Sequence, residues 1–173
     1  MKNRSIKILK SKNLNLKSQL KEKIIILKNS EWKYGLKSHR RWLRMYLQDQ
    51  DLHFLLLKRN ILIGYNLLRR REYKIEKKSK GSYFYFDTFI IDKNYRNSGF
   101  AKLFISKINN FILKQKKFSL LICQKKHVNF YKKFKWKIAN KTNFKMIDKS
   151  TSLKIMVFNL KVNKKDRFSI KVF

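Results

Sequence analysis

The chain has 173 residues, of which 43% are hydrophobic and 14% aromatic, and this composition excludes a disordered protein. Its single cysteine, Cys123, excludes a disulfide framework and a cysteine-rich zinc site. The net charge of +35 comes largely from 35 lysines, accompanied by abundant Asn, Ile, Phe and Tyr. The charge therefore indicates either a surface for a polyanion such as RNA, the ribosome or a membrane, or the codon bias of an A/T-rich genome.

The start of the chain predicts neither a signal peptide nor a membrane anchor. MKNRSIKILKSKN is basic and lacks the apolar region of a signal peptide. The apolar run Ile24 to Leu27 is far too short to span a bilayer. We therefore expect a cytoplasmic protein without a transmembrane segment.

Hydrophobic periodicity predicts both helices and strands in the first part of the chain. Leu16, Leu20, Ile24 and Leu27 recur at helical spacing. Gly64, inside a predicted strand, indicates a bulge or a close backbone approach. The predicted elements are an edge strand at 4–10, helices at 16–27 and 38–47, and a β-hairpin with strands at 53–57 and 61–68.

The stretch Ser82 to Ala101 organises the rest of the chain. SYFYFDTFII has the aromatic and β-branched composition of a buried strand, and it is followed by a basic loop with Gly99 and a helix beginning near Phe100. A strand, a glycine loop and a helix form an anion site, because the unpaired N–H groups converge at the positive end of the helix dipole.

Two segments resemble a known family. IIDKNYRNSGFAKLF resembles the acetyl-CoA pyrophosphate loop of the GNAT N-acetyltransferase superfamily, whose pattern is Arg/Gln-x-x-Gly-x-Gly/Ala after a buried strand. Further on, LLICQKKHVNFYKKFKW resembles the last motif of that superfamily, a strand followed by a helix bearing Phe-Tyr. The second segment is similar to the aminoglycoside 2′-type branch, but Lys135 replaces the Gly before Trp136, which leaves the turn after the helix in doubt.

The resemblance implies a fold and a domain organisation. It implies a single α/β (α+β) domain over residues 1–163, with a mixed, mostly antiparallel sheet of about six or seven strands flanked by about four helices. Later elements predicted from the sequence are a helix to about Gln115, a strand at 118–123, a helix at 126–134 and strands at 136–139 and 152–160. Residues 164–173 are predicted to be a basic tail or an extra strand, in which Phe168, Ile170 and Val172 alternate.

The resemblance also implies which residues bind acetyl-CoA, the co-substrate, and the acceptor. The connection between the first two helices shapes the acceptor pocket in the family, which makes its aromatic residues candidates; each is alternatively a core residue. Backbone amides of the loop would bind the coenzyme pyrophosphate, and amides of the strand end would face the thioester oxygen. The loop candidates are Arg96, Asn97, Ser98, Gly99, Phe100 and Ala101; the strand candidates are Phe89, Ile90 and Ile91; the acceptor candidates are Trp32, Tyr34, His39 and Trp42.

Acetyl transfer also needs proton transfer. Tyr131 matches the family position that donates a proton to the leaving thiolate, although it can equally be a packed helix tyrosine. Asp87 has the same strand parity as Tyr85, Phe89 and Ile91 and is a candidate base, unless it serves only in an ion pair. Weaker candidates are Glu72, Asp51 and His53, while His127 suits a surface or capping position and Cys123 an inert core.

The sequence therefore predicts an acyltransferase that moves the acetyl group of acetyl-CoA to a primary amine in a ternary complex, without a metal. A nucleotide-linked amino sugar or another small amine suits the basic chain better than a polycationic antibiotic does, and the amine of a peptide or a ribosomal protein is a further alternative. The alternative is a basic RNA- or ribosome-binding protein on an inactive scaffold of the same fold. The sequence favours the enzyme, because the aromatic residues lie at core periodicity, and it leaves the oligomeric state open.

Overall fold

Nine strands and four α-helices make up the computed structural model, which describes residues 6–76, 80–145, 152–161 and 166–170. The contacts divide the chain into two compact units, residues 1–69 with 87–105 and residues 70–86 with 106–173. The helices are α1 (Ser18–Glu31), α2 (Leu36–Tyr46), α3 (Phe100–Lys114) and α4 (Val128–Lys132). The strands are β1 (Ile6–Lys12), β2 (Leu52–Lys58), β3 (Ile61–Ile75), β4 (Lys80–Ile91), β5 (Ser119–Gln124), β6 (Lys137–Ile138), β7 (Phe144–Lys145), β8 (Leu153–Phe158) and β9 (Phe168–Ile170).

In the first unit, strands β1, β2, β3 and β4 are hydrogen-bonded neighbours in that order. The β2–β3 turn places Arg59 and Asn60 at φ values of 47° and 63°, the left-handed pair that a two-residue hairpin favours. The β2–β3 register shifts between Leu56 and Leu57, opposite Gly64 and Leu62, so the predicted bulge at Gly64 is confirmed. A β-carbon at Gly64 would lie 2.9 Å from Ile91 Cδ1, which also confirms the close approach.

Helix α1 covers the core of this unit with its apolar stripe. Ile24 and Leu27 are buried in one cluster with residues of β2 and β3, including Leu55 and Leu67. The predicted helix is therefore confirmed, but it runs from Ser18 to Glu31, so Leu16 of the predicted stripe precedes it.

In the second unit, β5 pairs in parallel with β4 and antiparallel with β8, and β8 pairs antiparallel with β6. Strand β9 pairs antiparallel with the end of β3 and parallel with β7. An aromatic cluster fills this unit, in which Tyr83 stacks on Phe118 with ring centroids 5.3 Å apart. The predicted mixed, mostly antiparallel α/β fold with four α-helices is confirmed.

Several predicted boundaries are wrong. Strand β3 continues to Ile75 instead of ending at Leu68, and its last residues, Tyr73 to Ile75, pair with β9. Helix α4 has only five residues, preceded by a 3-10 turn at Lys125–His127, instead of the predicted 126–134. The two-residue strand β7 was not predicted, and the sheet has nine strands in the described part of the chain rather than six or seven. The predicted position of Val172 in the extra strand lies outside the described residues.

None of the helices in the described part of the chain combines the length and the hydropathy needed to cross a membrane.

Candidate functional site

The loop after β4 is anchored at its start by Asp92. The Asp92 N–H donates to the carbonyl of Ile63 at 2.8 Å, which ties the loop to β3. The Asp92 side chain accepts a hydrogen bond from the Asn94 N–H at 2.9 Å and thereby caps the 3-10 turn Lys93–Tyr95. The loop therefore leaves the strand in a defined direction.

The loop then turns through two left-handed residues into α3. Asn97 has φ 61° and Gly99 has φ 78°, conformations that Asn and Gly adopt at low cost. The Leu103 N–H donates to the Gly99 carbonyl at 3.1 Å, which begins the helix. A β-carbon at Gly99 would meet nothing within 4 Å, so the approach to this helix N-terminus is open. The 96–101 segment thus forms the anion-favouring strand–loop–helix arrangement that the sequence predicts, and a diphosphate fits it chemically.

Arg96 holds this loop against the rest of its unit. Its Nε donates to the Ile91 carbonyl at 3.0 Å, and its Nη2 forms an ion pair with Glu31 of α1. Since the guanidinium already has these two partners, Arg96 braces the loop instead of extending freely toward an anion. A second cation, Lys58, lies 5.2 Å from the ring centroid of Tyr95 and 5.5 Å from that of Phe100.

The end of β4 departs from regular alternation. Phe84 packs against Phe111 of α3, and Phe89 packs against Phe104 of the same helix. Residues five apart would lie on opposite faces of a regular strand, so the alternation shifts between them. Asp87 instead pairs with Arg69. The predicted shared face of Asp87 and Phe89 is therefore wrong.

The side chain of Asn66 binds to this irregular part of β4. Asn66 of β3 donates from Nδ2 to the Thr88 carbonyl at 2.7 Å, in a fully buried position. Ile90 and Ile91 face apolar surroundings, since Ile90 is buried in the α1 cluster and Ile91 approaches Gly64. Their side chains are structural, so any contribution of Phe89, Ile90 and Ile91 to a bound thioester comes from their backbone amides.

The ladder between β4 and β5 is short. It consists of the pairs Phe84–Ser119 and Tyr85–Leu120, while β4 continues to Ile91 and β5 to Gln124.

Asp87 belongs to a buried ion cluster with Arg69 and Asp51. Arg69 Nη1 lies 3.2 Å from Asp87 Oδ2, and Arg69 Nε lies 3.8 Å from Asp51 Oδ2. Arg69 also donates from Nη2 to the Tyr46 carbonyl at 3.1 Å. The side chains of Arg69 and Asp51 are 1% and 0% exposed, whereas that of Asp87 is 19% exposed. Of the three, Asp87 is the one that a ligand in solution can reach.

The four acceptor candidates form two pairs in the first unit. Trp32 and Trp42 both contact the ammonium of Lys28, with Nζ 5.9 Å and 4.1 Å from the respective ring centroids. Tyr34 is 71% exposed, and its ring lies 5.8 Å from that of His39. His39 is buried, with Nε2 2.9 Å from the Trp32 carbonyl, and this contact ties α2 to the end of α1.

Of the weaker base candidates, His53 is buried with hydrogen-bond partners, and Glu72 lies on an exposed part of β3. His53 is fully buried, with Nδ1 2.9 Å from the Tyr65 hydroxyl and Nε2 3.3 Å from Asn13 Oδ1. Burial lowers the pKa of His53 to about 4, although Asp51 acts in the opposite direction. Glu72 is exposed on the second half of β3. His53 is therefore a neutral structural residue.

Tyr131 lies in α4 in the second unit. Its ring packs edge-on against Phe86 at 6.1 Å and near Trp136 at 6.1 Å. Burial raises the pKa of Tyr131, so the phenol stays protonated over the physiological range. Cys123 is buried, and burial raises the pKa of its thiol, as expected for an inert core cysteine.

The turn after α4 forms despite the missing glycine. Lys135 adopts φ 67°, the left-handed conformation that glycine would take without strain. Trp136 is then buried, and its indole N–H donates to Asn109 Oδ1 at 3.3 Å. The doubt that Lys135 raised about this turn is resolved, at a conformational cost.

No set of three or more His, Cys, Asp or Glu side chains within the described ranges is arranged to hold a metal ion.

Neither a protein-family model nor a curated protein sequence matches the chain. Solved structures do match: the GNAT family N-acetyltransferase YhbS from Escherichia coli, in complex with CoA, has a TM-score of 0.67 at 11% identity, covering 99% of this chain and 92% of that one. The chain has the GNAT fold. PH1933 from Pyrococcus horikoshii has a TM-score of 0.65 at 18% identity, covering 91% and 99% of the two chains. Arabidopsis thaliana Naa50, in complex with the bisubstrate analogue CoA-Ac-MVNAL, has a TM-score of 0.59 at 17% identity, covering 90% and 99%.

The GNAT fold accounts for the arrangement of the predicted loop and strand. Sequence reasoning found the loop through Gly99 and its flanking pattern, but it missed Arg69 and Lys28. A signal for Lys28 was present, because it lies four residues after Ile24 on the apolar stripe of α1, where a lysine is unusual. Arg69 carried no comparable signal, since it begins a run of three arginines that resembles a solvated strand end.

Proposed function

We propose that the chain is an acetyl-CoA-dependent N-acetyltransferase that acetylates a primary amine by direct attack in a ternary complex. The observation that carries this proposal is the loop of residues 96–101, where left-handed Asn97 and Gly99 lead into the N-terminus of α3 on a GNAT fold. Similar structures bound to CoA or to a CoA bisubstrate analogue support a CoA thioester as the donor.

In this proposal, the amides of the loop bind the diphosphate, and the amides near Phe89 to Ile91 donate to the thioester oxygen. Each donor to a developing oxyanion contributes about 3 kcal/mol to transition-state stabilisation. The attack forms an N–C bond, breaks the C–S bond and leaves CoA thiolate, which needs a proton.

Tyr131 keeps the role that the resemblance implies, that of hydrogen-bond donor to the thiolate. Because burial raises its pKa, the phenol is present in the donor form. The same shift makes complete ionisation of Tyr131 unfavourable, so we expect it to stabilise the thiolate by hydrogen bonding while the thiolate takes the proton that the attacking amine loses.

Asp87 supplies the carboxylate on the acceptor side. Its partial exposure suits electrostatic attraction of the ammonium form of the acceptor. Its Oδ2 lies 3.2 Å from Arg69 Nη1, so the carboxylate is already held in an ion pair. Trp32 and Trp42 would contact the acceptor, and Tyr34 would lie at the exposed edge.

The acceptor is proposed to be a small amine on an anionic carrier, such as a nucleotide-linked amino sugar. The support is the net charge of +35, which repels polycations and attracts anions. The similarity of the Cys123 to Trp136 segment to the aminoglycoside 2′-type branch supports a small-molecule acceptor.

The test is thiol release from acetyl-CoA with a panel of amines that differ in charge: amino sugar nucleotides, neutral amino sugars, aminoglycosides and peptides with free N-termini. We expect release to depend on an amine and to be fastest with the anionic members. Turnover with peptides alone would remove the amino-sugar proposal. Absence of thiol release with every amine, together with absence of acetyl-CoA binding, would contradict the enzyme proposal.

A further inference from the structure

Lys28 is a buried lysine at the place where the acceptor candidates meet. It lies on the buried face of α1 and is only 5% exposed. Its Nζ lies 4.1 Å from the ring centroid of Trp42 and 5.9 Å from that of Trp32. The two tryptophans proposed to contact the acceptor therefore already contact a primary amine of the chain itself.

The Lys28 amine lacks the partners that a buried cation normally has. Within the described ranges, no residue forms a hydrogen bond or an ion pair with Lys28 Nζ. A buried lysine whose ammonium has no protein hydrogen-bond or ion-pair partner destabilises the folded chain, and such an arrangement is typical of a group that serves a reaction or a ligand. The cation–π contact with Trp42 offsets only part of this cost.

The charged groups around Lys28 come from three strands. Burial lowers the pKa of Lys28 to about 8; Asp87 of β4 acts against this shift, and Arg69 of β3 adds to it. On β2, the charge of Lys28 contributes to the lowering of the His53 pKa. Asp51, just before β2, pairs with Arg69. Lys28 therefore exists in both protonation states in mildly alkaline solution.

Asp87, the base candidate from the sequence, is less suited than Lys28 to accept a proton from an amine. Its Oδ2 lies 3.2 Å from Arg69 Nη1, so protonation would weaken an existing ion pair. A lysine-like acceptor has a pKa of about 10.4, and proton transfer from it to an ordinary aspartate is unfavourable by roughly 10⁶-fold. Transfer to a group with a pKa of about 8 is unfavourable by only roughly 10²-fold.

We propose that Lys28 is the proton acceptor for the amine substrate, and that Asp87 acts by holding the charge balance beside it. Neutral Lys28 Nζ takes a proton from the acceptor ammonium. The free amine then attacks the thioester carbonyl, the N–C bond forms, the C–S bond breaks, and the second amine proton leaves for the thiolate. Lys28 returns its proton to solvent after the product leaves. The reaction in which Lys28 takes part rests on the proposed acetyl transfer. The choice of Lys28 as the proton acceptor rests on the residues that surround it.

The first experiment is the pH profile of kcat/KM with the best amine of the panel. We expect a wild-type limb near pH 8, which Lys28→Met and Lys28→Arg both lose together with at least about 10²-fold in kcat. Lys28→Arg keeps a cation on Trp42 but cannot deprotonate, so it separates proton transfer from packing. Asp87→Asn keeps the limb but moves it to lower pH, because the carboxylate that favours the ammonium form is gone. Retention of the wild-type limb and rate in Lys28→Met would overturn the proposal.

The second experiment does not depend on the acceptor. Competitive labelling with trace acetic anhydride, followed by peptide mass spectrometry, reports the pKa of Lys28 beside that of exposed Lys33 in the same sample. We expect Lys28 to titrate near 8 in the wild type and lower in Asp87→Asn. Titration of Lys28 together with Lys33 would overturn the proposal even if acetyl-CoA binds. Conversely, if acetyl-CoA binds neither the wild type nor Lys28→Met, the acetyltransferase proposal itself is contradicted.

Discussion

Replacing Lys28 by methionine should stabilise the protein at neutral pH. Methionine has a similar length, packs well against Trp42 and removes the buried charge. The pKa of Lys28 is lowered from 10.5 to about 8, and at 1.36 kcal/mol per pKa unit this corresponds to a penalty of about 3 kcal/mol. The cation–π contact offsets about 0.5–2 kcal/mol, so we expect a net gain of about 1–3 kcal/mol.

The pH dependence of this gain has a definite sign. Because the folded-state pKa is depressed, the unfolded chain binds more protons between pH 8 and 10.5, and wild-type stability rises with pH in that window relative to Lys28→Met. The penalty is complete below about pH 8 and falls to about 1 kcal/mol at pH 10. The advantage of Lys28→Met over the wild type should therefore shrink by about 2 kcal/mol between pH 7 and pH 10.

Urea unfolding of both proteins at pH 7 and pH 10 measures this difference. Exposed Lys33→Met is the matched control and should change the free energy of unfolding by no more than about 0.5 kcal/mol at either pH. A destabilised Lys28→Met at pH 7, or a gain that is equal at both pH values, would refute the reasoning that burial depresses the Lys28 pKa.

Three further predictions concern the turn, the buried histidine and the tyrosine. Lys135→Gly should raise the free energy of unfolding by about 1 kcal/mol, because the residue has φ 67°, whereas Lys133→Gly, at φ −57°, should lower it; thermal unfolding compares the two. His53 has a folded-state pKa of about 4 against 6.5, so wild-type stability should fall by about 3 kcal/mol as pH drops from 6.5 to 4, and His53→Gln should lack this loss in acid titrations. Tyr131→Phe should lower kcat by about 10²-fold without changing acetyl-CoA binding by calorimetry, and an unchanged kcat would exclude its role at the thiolate.

The elements that the sequence predicted best are those whose local signals agree with the fold. The strand, loop and helix around Gly99 were predictable because composition, glycine and helical period all change within a few residues. The hairpin was predictable because two apolar runs flank the polar residues Lys58, Arg59 and Asn60, and the bulge was predictable because Gly64 interrupts the second run.

The missed features depend on contacts between residues far apart in the chain. The second half of β3 is basic, and its last residues, Tyr73 to Ile75, pair with β9, some 95 residues later in the chain. The shift of alternation near Asp87 depends on packing against α3 and on Asn66, neither of which local periodicity contains. The surroundings of Lys28 likewise depend on α2 and β4, so the sequence could show an unusual lysine but not its role.

The central claim is that the loop beyond β4 binds the diphosphate of acetyl-CoA, and calorimetric titration of the whole chain with acetyl-CoA tests it most directly. Gly99→Trp fills the open approach and forces a bulky residue to φ 78°, while Leu113→Trp, at an exposed position late in α3, is the matched control. We predict that the wild type and Leu113→Trp bind one acetyl-CoA in high salt and that Gly99→Trp does not. Undiminished binding by Gly99→Trp, or wild-type binding that vanishes in high salt as general polyanion attraction would, contradicts the account.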